Sequence, residues 1–289
     1  MTITTDTRLK VPNLTAVAEH DGDIVVSGVS GTKTLSGDEA RASSEILAAS
    51  DGETPLREVV PAVGDEATAL AVAEILYADG LLYPTELLDP FDVDETHRSL
   101  LESLLVTLDV KRRSAFARRL QESSIGLYGD PTVSEALREP LGAIGCTLDT
   151  TDPDVVVFVE TESTRDRPEV NREWLDTDAT LIRARLRGSN VEIGPVLTPS
   201  SDACLACLTT RTELNEAHQR LDFRTTVPAP TYETAFCTHV LTRLTLQASL
   251  DRIPPALVGE IHRFDLRTFD HDTARLLGVP GCEACDGSD

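Results

Sequence analysis

The chain has 289 residues, enough for two domains with cores of their own, and its 40% hydrophobic and 26% charged residues are those of a globular protein. A formal net charge of −23 repels nucleic acid and anionic lipid, no apolar run is long enough to cross a bilayer, and the polar first ten residues lack the apolar core of a secretory signal. A cytoplasmic protein with neither nucleic-acid nor membrane partners is expected, and its three lysines among many scattered acidic residues resemble halophilic proteins, whose surface charge is screened by salt.

In chain order, Leu14–Ala18, Ile24–Gly28 and Thr32–Leu35 read as three short strands. Ser36 or Asp38 caps a helix through Ala40–Ala49, and Asp51-Gly52 ends it. Thr54-Pro55 opens a second helix with Leu56, Val59 and Val60 on one face. Asp65 caps a third, in which Ala69, Val72, Ile75 and Leu76 recur at helical spacing. Asp79-Gly80 stops it, and Leu81–Tyr83 returns as a strand. Three strands followed by three helices predict a winged-helix-like domain over residues 1–85. Glu86–Glu95 reads as an acidic linker, followed by helices Thr96–Leu105 and Val110–Gln121, so that 86–123 joins two domains.

From Ser124 the pattern turns α/β. Strands at Ser124–Tyr128, Asp154–Glu160 and Thr180–Leu186 alternate with helices at Val133–Ile144 and Glu169–Trp174, which predicts a three-layer Rossmann-like sheet over 124–289. Val191–Leu197, helices Leu208–Leu221 and Tyr232–Ser249, and a strand Glu260–Arg267 complete the domain.

Cys204-Leu-Ala-Cys207 and Cys282-Glu-Ala-Cys285 carry the strongest local chemistry. Two residues between thiols let both point at one ion, and four thiolates complete the tetrahedron of a structural zinc with no position left for water. A redox C-x-x-C pair is the competing reading, but it opens a helix in a thioredoxin-like setting, and duplicated spacing favours the metal. The turn Gly126-Leu-Tyr-Gly129-Asp-Pro lacks a glycine of the dinucleotide fingerprint, and Asp130 puts negative charge where a phosphate would sit. Arg183, Arg185 and Arg187 share one face of a strand, as a salt-bridged face near a sheet edge or as an anion site. Cys237 and His239 lie two apart on a helix and cannot face one another, so Cys237, like Cys146, reads as a core cysteine, and Asp270-His-Asp272 as a surface turn.

Gly194-Pro-Val-Leu-Thr-Pro199, Cys204-Leu-Ala-Cys207-Leu with Arg211, the helix Tyr232–Ser249 and Val279-Pro-Gly-Cys282-Glu-Ala-Cys285 together resemble the divergent ThiF/MoeB-type activating-enzyme domain of thiazole/oxazole-modified peptide biosynthesis. Leu35-Ser-Gly-Asp38, Asp51-Gly-Glu-Thr54 and Asp79-Gly-Leu-Leu82 resemble the PqqD-like peptide recognition element that precedes it in such proteins. The resemblance implies that a precursor leader peptide adds as a strand in a groove lined by Thr32, Lys33, Thr34, Leu35, Ala69, Val72 and Ile75. It implies a homodimeric scaffold with no catalytic residues and no nucleotide cofactor of its own. The scaffold would present the peptide to a YcaO-family cyclodehydratase that uses ATP to form azolines. The alternatives are an ATP-dependent activating enzyme and a winged-helix regulator.

Overall fold

The computed structural model describes residues 2–13, 15–20, 23–29, 31–149, 151–160, 167–216 and 231–285. The chain divides into two compact units, Met1–Arg119 and Leu120–Asp289.

The first unit runs β1 (Arg8–Lys10), β2 (Ala16–His20), β3 (Asp23–Gly28), β4 (Gly31–Leu35), α1 (Gly37–Ala49), β5 (Asp51–Pro55), α2 (Leu56–Val63), α3 (Glu66–Ala78), β6 (Tyr83–Pro84), α4 (Glu95–Val106) and α5 (Val110–Arg113), and α6 (Phe116–Glu122) leads out of it. Strands β2, β3 and β4 form an antiparallel sheet with β3 at its centre. β3 turns Ile24 and Val26 inward beneath α1, and α1 packs on α2 and α3. The Asp65 carboxylate accepts the Thr68 N–H at 2.9 Å and starts α3 where the sequence places its cap. Leu14, the first residue of the earliest expected strand, lies outside the described residues.

A second antiparallel sheet, ordered β5-β1-β6, was not expected. Its strands are two to five residues long, too short to show a period, and they form because β1 lies between two partners. Residues 51–55, expected to turn straight into a helix, extend as β5 first, with Asp51 accepting the N–H groups of Glu53 and Thr54 at 2.8 Å each. The acidic stretch 86–95 carries Leu87, Leu88 and Phe91 into buried positions, with Phe91 set edge-on against Phe116.

Two buried charges tie this unit together. Glu102 accepts from Lys10 at 2.9 Å, from the Tyr83 hydroxyl at 2.6 Å and from the Asn13 N–H at 2.9 Å. Arg113 donates to the carbonyls of Tyr77, Val106 and Leu108 at the ends of α3 and α4, where helices leave acceptors unpaired.

The second unit continues with β7 (Ser124–Gly129), α7 (Pro131–Ala143), β8 (Thr147–Leu148), β9 (Val155–Glu160), α8 (Arg167–Leu175), β10 (Thr180–Arg187), β11 (Asn190–Leu197), α9 (Leu205–Glu216), α10 (Thr231–Ser249), β12 (Glu260–Asp265) and β13 (Asp270–Arg275). Its seven-stranded sheet has the order β13-β12-β11-β10-β9-β7-β8. β8, β7, β9 and β10 are parallel; β11 to β13 are antiparallel additions. The all-apolar run Val155–Val159 is buried throughout, as its composition requires of a central parallel strand. Asp270-His-Asp272, expected as a surface turn, instead begins β13. Main-chain pairing with β12 makes these polar residues a strand, since β13 needs no buried face at the sheet edge. The helix expected over 208–221 begins earlier, at Leu205, and its positions 217–221 lie outside the described residues. Among the described residues no helix is long and apolar enough to cross a membrane.

Candidate functional site

The chain of the second unit leaves β11, turns through residues 198–203 and enters α9 at Cys204. Cys204 occupies the capping position, its carbonyl accepting the Leu208 N–H at 3.2 Å, and Cys207 follows within the first turn on the same side. Asn171 of α8, buried and unmarked in the sequence reading, accepts the Leu205 N–H at 2.7 Å and fixes that helix start. The second pair arrives on a turn: Pro280 and Gly281 are its central residues, Gly281 has φ +72°, and the Cys282 N–H reaches the Val279 carbonyl at 3.1 Å. Pro-Gly is the pair a type II turn demands, so Val279-Pro-Gly-Cys282 encodes the presentation of Cys282 locally.

The two pairs, 78 residues apart in sequence, meet. Cys204 lies 3.9 Å from Cys207 and 3.9 Å from Cys282, Cys207 lies 3.6 Å from Cys285, and all four sulfurs fall within 4.8 Å of one another. A tetrahedral ion with metal–sulfur bonds of about 2.3 Å holds its thiolates about 3.8 Å apart, whereas a disulfide needs about 2.0 Å. The spacing fits a metal ion. Trp174, Leu205, Leu208, Ile261 and Leu276 wall three of the cysteines off from solvent. The Val279 N–H points at the Cys207 sulfur from 3.3 Å, a contact that stabilises a thiolate.

The carboxyl ends of β7 and β9 mark the place where the parallel strand order reverses, the usual ligand crevice of an open α/β sheet. Here it is occupied by the protein's own groups. Asp130 folds back over the start of α7 and accepts the N–H groups of Thr132 and Val133 at 3.0 Å each. Those donors are the ones a phosphate would use, and Pro131 removes a third. A cavity of 540 Å³ on the β7–α8 side is walled by Tyr128, Trp174, Asp152 and Glu173, and its acidic rim opposes phosphate binding.

The arginine strand resolves as a salt-bridged core and not as a sheet-edge face. β10 is inside the sheet, and Arg183 is 1% exposed. Arg183 bonds Glu160 at 2.6 and 2.9 Å, Glu192 at 3.0 Å and the Gly194 carbonyl at 3.0 Å, and Arg167 closes on Glu160 from α8. Burial pushes the Glu160 carboxyl up, but the two guanidinium groups outweigh it and hold the group below the ordinary carboxylate range. Cys237 is fully buried, with its thiol pushed up to about 12 by burial and by Asp130, while His239 is exposed. Burial likewise pushes Cys146 up to about 12, so neither thiol is a ready nucleophile.

In the first unit β4 is a sheet edge, largely exposed. Its register sets Lys33 opposite Val26 and Leu35 opposite Ile24, on the helix side, and leaves Thr32 and Thr34 on the outer face. Lys33 pairs with Asp79, the residue that ends α3. Ile75 is 47% exposed, whereas Ala69 and Val72 point into the core.

The first unit thus presents an exposed sheet edge, and the second is a doubly wound α/β sheet carrying a four-cysteine site. No protein-family model matches the sequence, and no curated protein resembles it at a significant level. Solved structures do match in fold. The heterocyclase TruD superposes with a TM-score of 0.69 at 16% identity, covering 96% of this chain and 43% of that one. A heterocyclase in complex with substrate and cofactor gives 0.70 at 17%, covering 96% and 39%. MccB of E. coli, solved with ATP, gives 0.62 at 10%, covering 96% and 99%. The chain therefore has the α/β fold of TruD and MccB, as the resemblance read from the sequence implies, and spans about two-fifths of the heterocyclase chains.

Proposed function

We propose that this chain is the peptide-binding scaffold of a cyclodehydratase, built from a winged-helix-like recognition domain over 1–85, a joining segment over 86–123 and a ThiF-type domain over 124–289. The observation that carries the reading is the exposed edge strand β4, joined to the end of α3 by the Lys33–Asp79 ion pair, on a fold shared with heterocyclases. An unpaired strand edge offers main-chain donors and acceptors to an extended peptide, and the neighbouring side chains select it. MccB, of the same fold, has been solved together with MccA. A leader peptide would lie along Thr32, Lys33, Thr34 and Leu35 and against Ile75, with Ala69 and Val72 supporting the groove floor. The scaffold would act as a homodimer in the cytoplasm of a salt-loving cell and pass its peptide to a YcaO-family partner.

The four cysteines would hold zinc, the metal whose preference is four thiolates in a closed tetrahedron. Bound there, it would supply a crosslink and no chemistry, because no ligand position stays open. Cys204 and Cys207 would bind from a helix start and Cys282 and Cys285 from the C-terminal arm.

The second reading, an ATP-dependent activating enzyme, is favoured by the structure of MccB with ATP. The Asp130 cap weighs against it, since ATP would have to displace a carboxylate bonded to the same amides. The groove is tested by fluorescence anisotropy with the labelled leader segment of a short Cys/Ser/Thr-rich open reading frame, sought beside the gene. Proline at Thr34 or glutamate at Lys33 is expected to weaken binding at least about tenfold, on the order of 1.4 kcal/mol, with an unchanged circular dichroism spectrum. Unchanged affinity in both variants would remove the groove assignment.

A further inference from the structure

Arg211 sits one helical turn beyond Cys207 on α9. Its guanidinium grips two consecutive carbonyls of the C-terminal arm, Leu277 from Nε at 2.6 Å and Gly278 from Nη2 at 2.8 Å. The next residue, Val279, donates its N–H to the Cys207 sulfur and its carbonyl opens the turn that presents Cys282. Gly278 permits this path: a Cβ there would lie 2.3 Å from the Asp202 carbonyl oxygen, two residues before Cys204. One continuous set of contacts thus runs from α9 through the arm to the thiols of both pairs.

We infer that Arg211 is a latch that holds the arm against α9 and so sets how long the centre retains its metal. The inference rests on the zinc reading of the four cysteines. A four-thiolate site loses its ion by successive opening of ligands, and the arm carrying Cys282 and Cys285 is the half that can leave, because Cys204 and Cys207 are fixed to a packed helix. Two charge-assisted hydrogen bonds in a planar fork keep that arm in place when a thiolate lets go, and the ligand then rebinds before the second one opens. Lysine can place one point charge there but cannot span both carbonyls, and glutamine has no charge. Arg211 touches no metal position and is a positioning residue.

The test is the rate at which the intact zinc-loaded protein yields zinc to excess 4-(2-pyridylazo)resorcinol, followed by absorbance. R211Q is expected to release zinc at least about tenfold faster than the parent protein and R211K to fall between them, the range seen for outer-shell partners of metal ligands. Cobalt-substituted R211Q is expected to keep the absorption of a tetrahedral four-thiolate site, which separates faster release from a broken centre. G278A, which displaces the same arm without touching the charge, is expected to release zinc faster as well. Release at the parental rate in both R211Q and G278A overturns the latch while leaving the zinc centre standing. A parent protein that binds no zinc overturns the metal reading, and the latch with it.

Discussion

Replacing Cys204 by Ser is expected to abolish stoichiometric metal binding and to destabilise the second unit by about 4 kcal/mol, the stabilisation given by an ion present at a thousandfold its dissociation constant. The reason lies in topology. Cys204 and Cys207 sit in the middle of the second unit, whereas Cys282 and Cys285 sit on an arm that, after β13, forms no further helix or strand among the described residues. Without the ion, four thiols spaced for a metal gain nothing from their proximity, and the arm keeps the burial of Leu276, the packing of Val279 and Ala284 on the core and its hydrogen bonds to α9. Serine is nearly isosteric, so the loss reads the metal and not a cavity. Metal content by mass spectrometry and thermal unfolding with and without chelator check the prediction together. Chelator should lower the parent's melting temperature and leave the C204S variant unmoved.

Glu160→Gln is expected to cost about 3–5 kcal/mol, because it leaves the buried Arg183 guanidinium and the half-buried Arg167 guanidinium facing an amide. Glu160 is 3% exposed and Arg183 1% exposed, so water cannot replace the lost charge. Glu192 keeps one bond to Arg183 but lies on the wetter side of the network. The pH dependence follows from the depressed Glu160 value. A carboxyl held lower in the folded than in the unfolded state contributes its full stability above the unfolded value, near 4.5, and loses it as pH falls through the folded value. The gap between parent and variant in urea denaturation should therefore be widest near neutrality and close on the acid side of 4.5. Removing both charges with Glu160→Leu and Arg183→Met should cost less than either single change, the sign of a coupled pair.

How much of this was legible depends on how local each signal is. The cysteine spacing and the Asp65 cap are each decided within a few residues, and the structure places them as the sequence suggests; the Val279-Pro-Gly-Cys282 turn is equally local but shows itself only in the structure. The arginine strand was half legible. Alternation puts Arg183, Arg185 and Arg187 on one face, but nothing in a strand reveals that Glu160 of β9 meets Arg183 inside the sheet while Arg167 of α8 closes on the same carboxylate. Asn171 escaped for the same reason: a lone Asn on a short helix carries no pattern, and its role exists only once α8 lies beside α9. β1 and β13 are polar and short, so pairing with neighbours creates them and periodicity cannot announce them. The groove rests on a family likeness, and helical spacing cannot separate the inward Ala69 and Val72 from the outward Ile75 before the packing of α1 on α3 is known.

On the proposed reading this chain binds a peptide and leaves ATP chemistry to a partner, and calorimetric titration of the zinc-loaded protein with Mg-ATP separates that from an activating enzyme. With Asp130 seated on the amides at the start of α7, no binding heat above dilution is expected. A saturable titration with one ATP per chain would overturn the scaffold reading in favour of a nucleotide-binding activating enzyme.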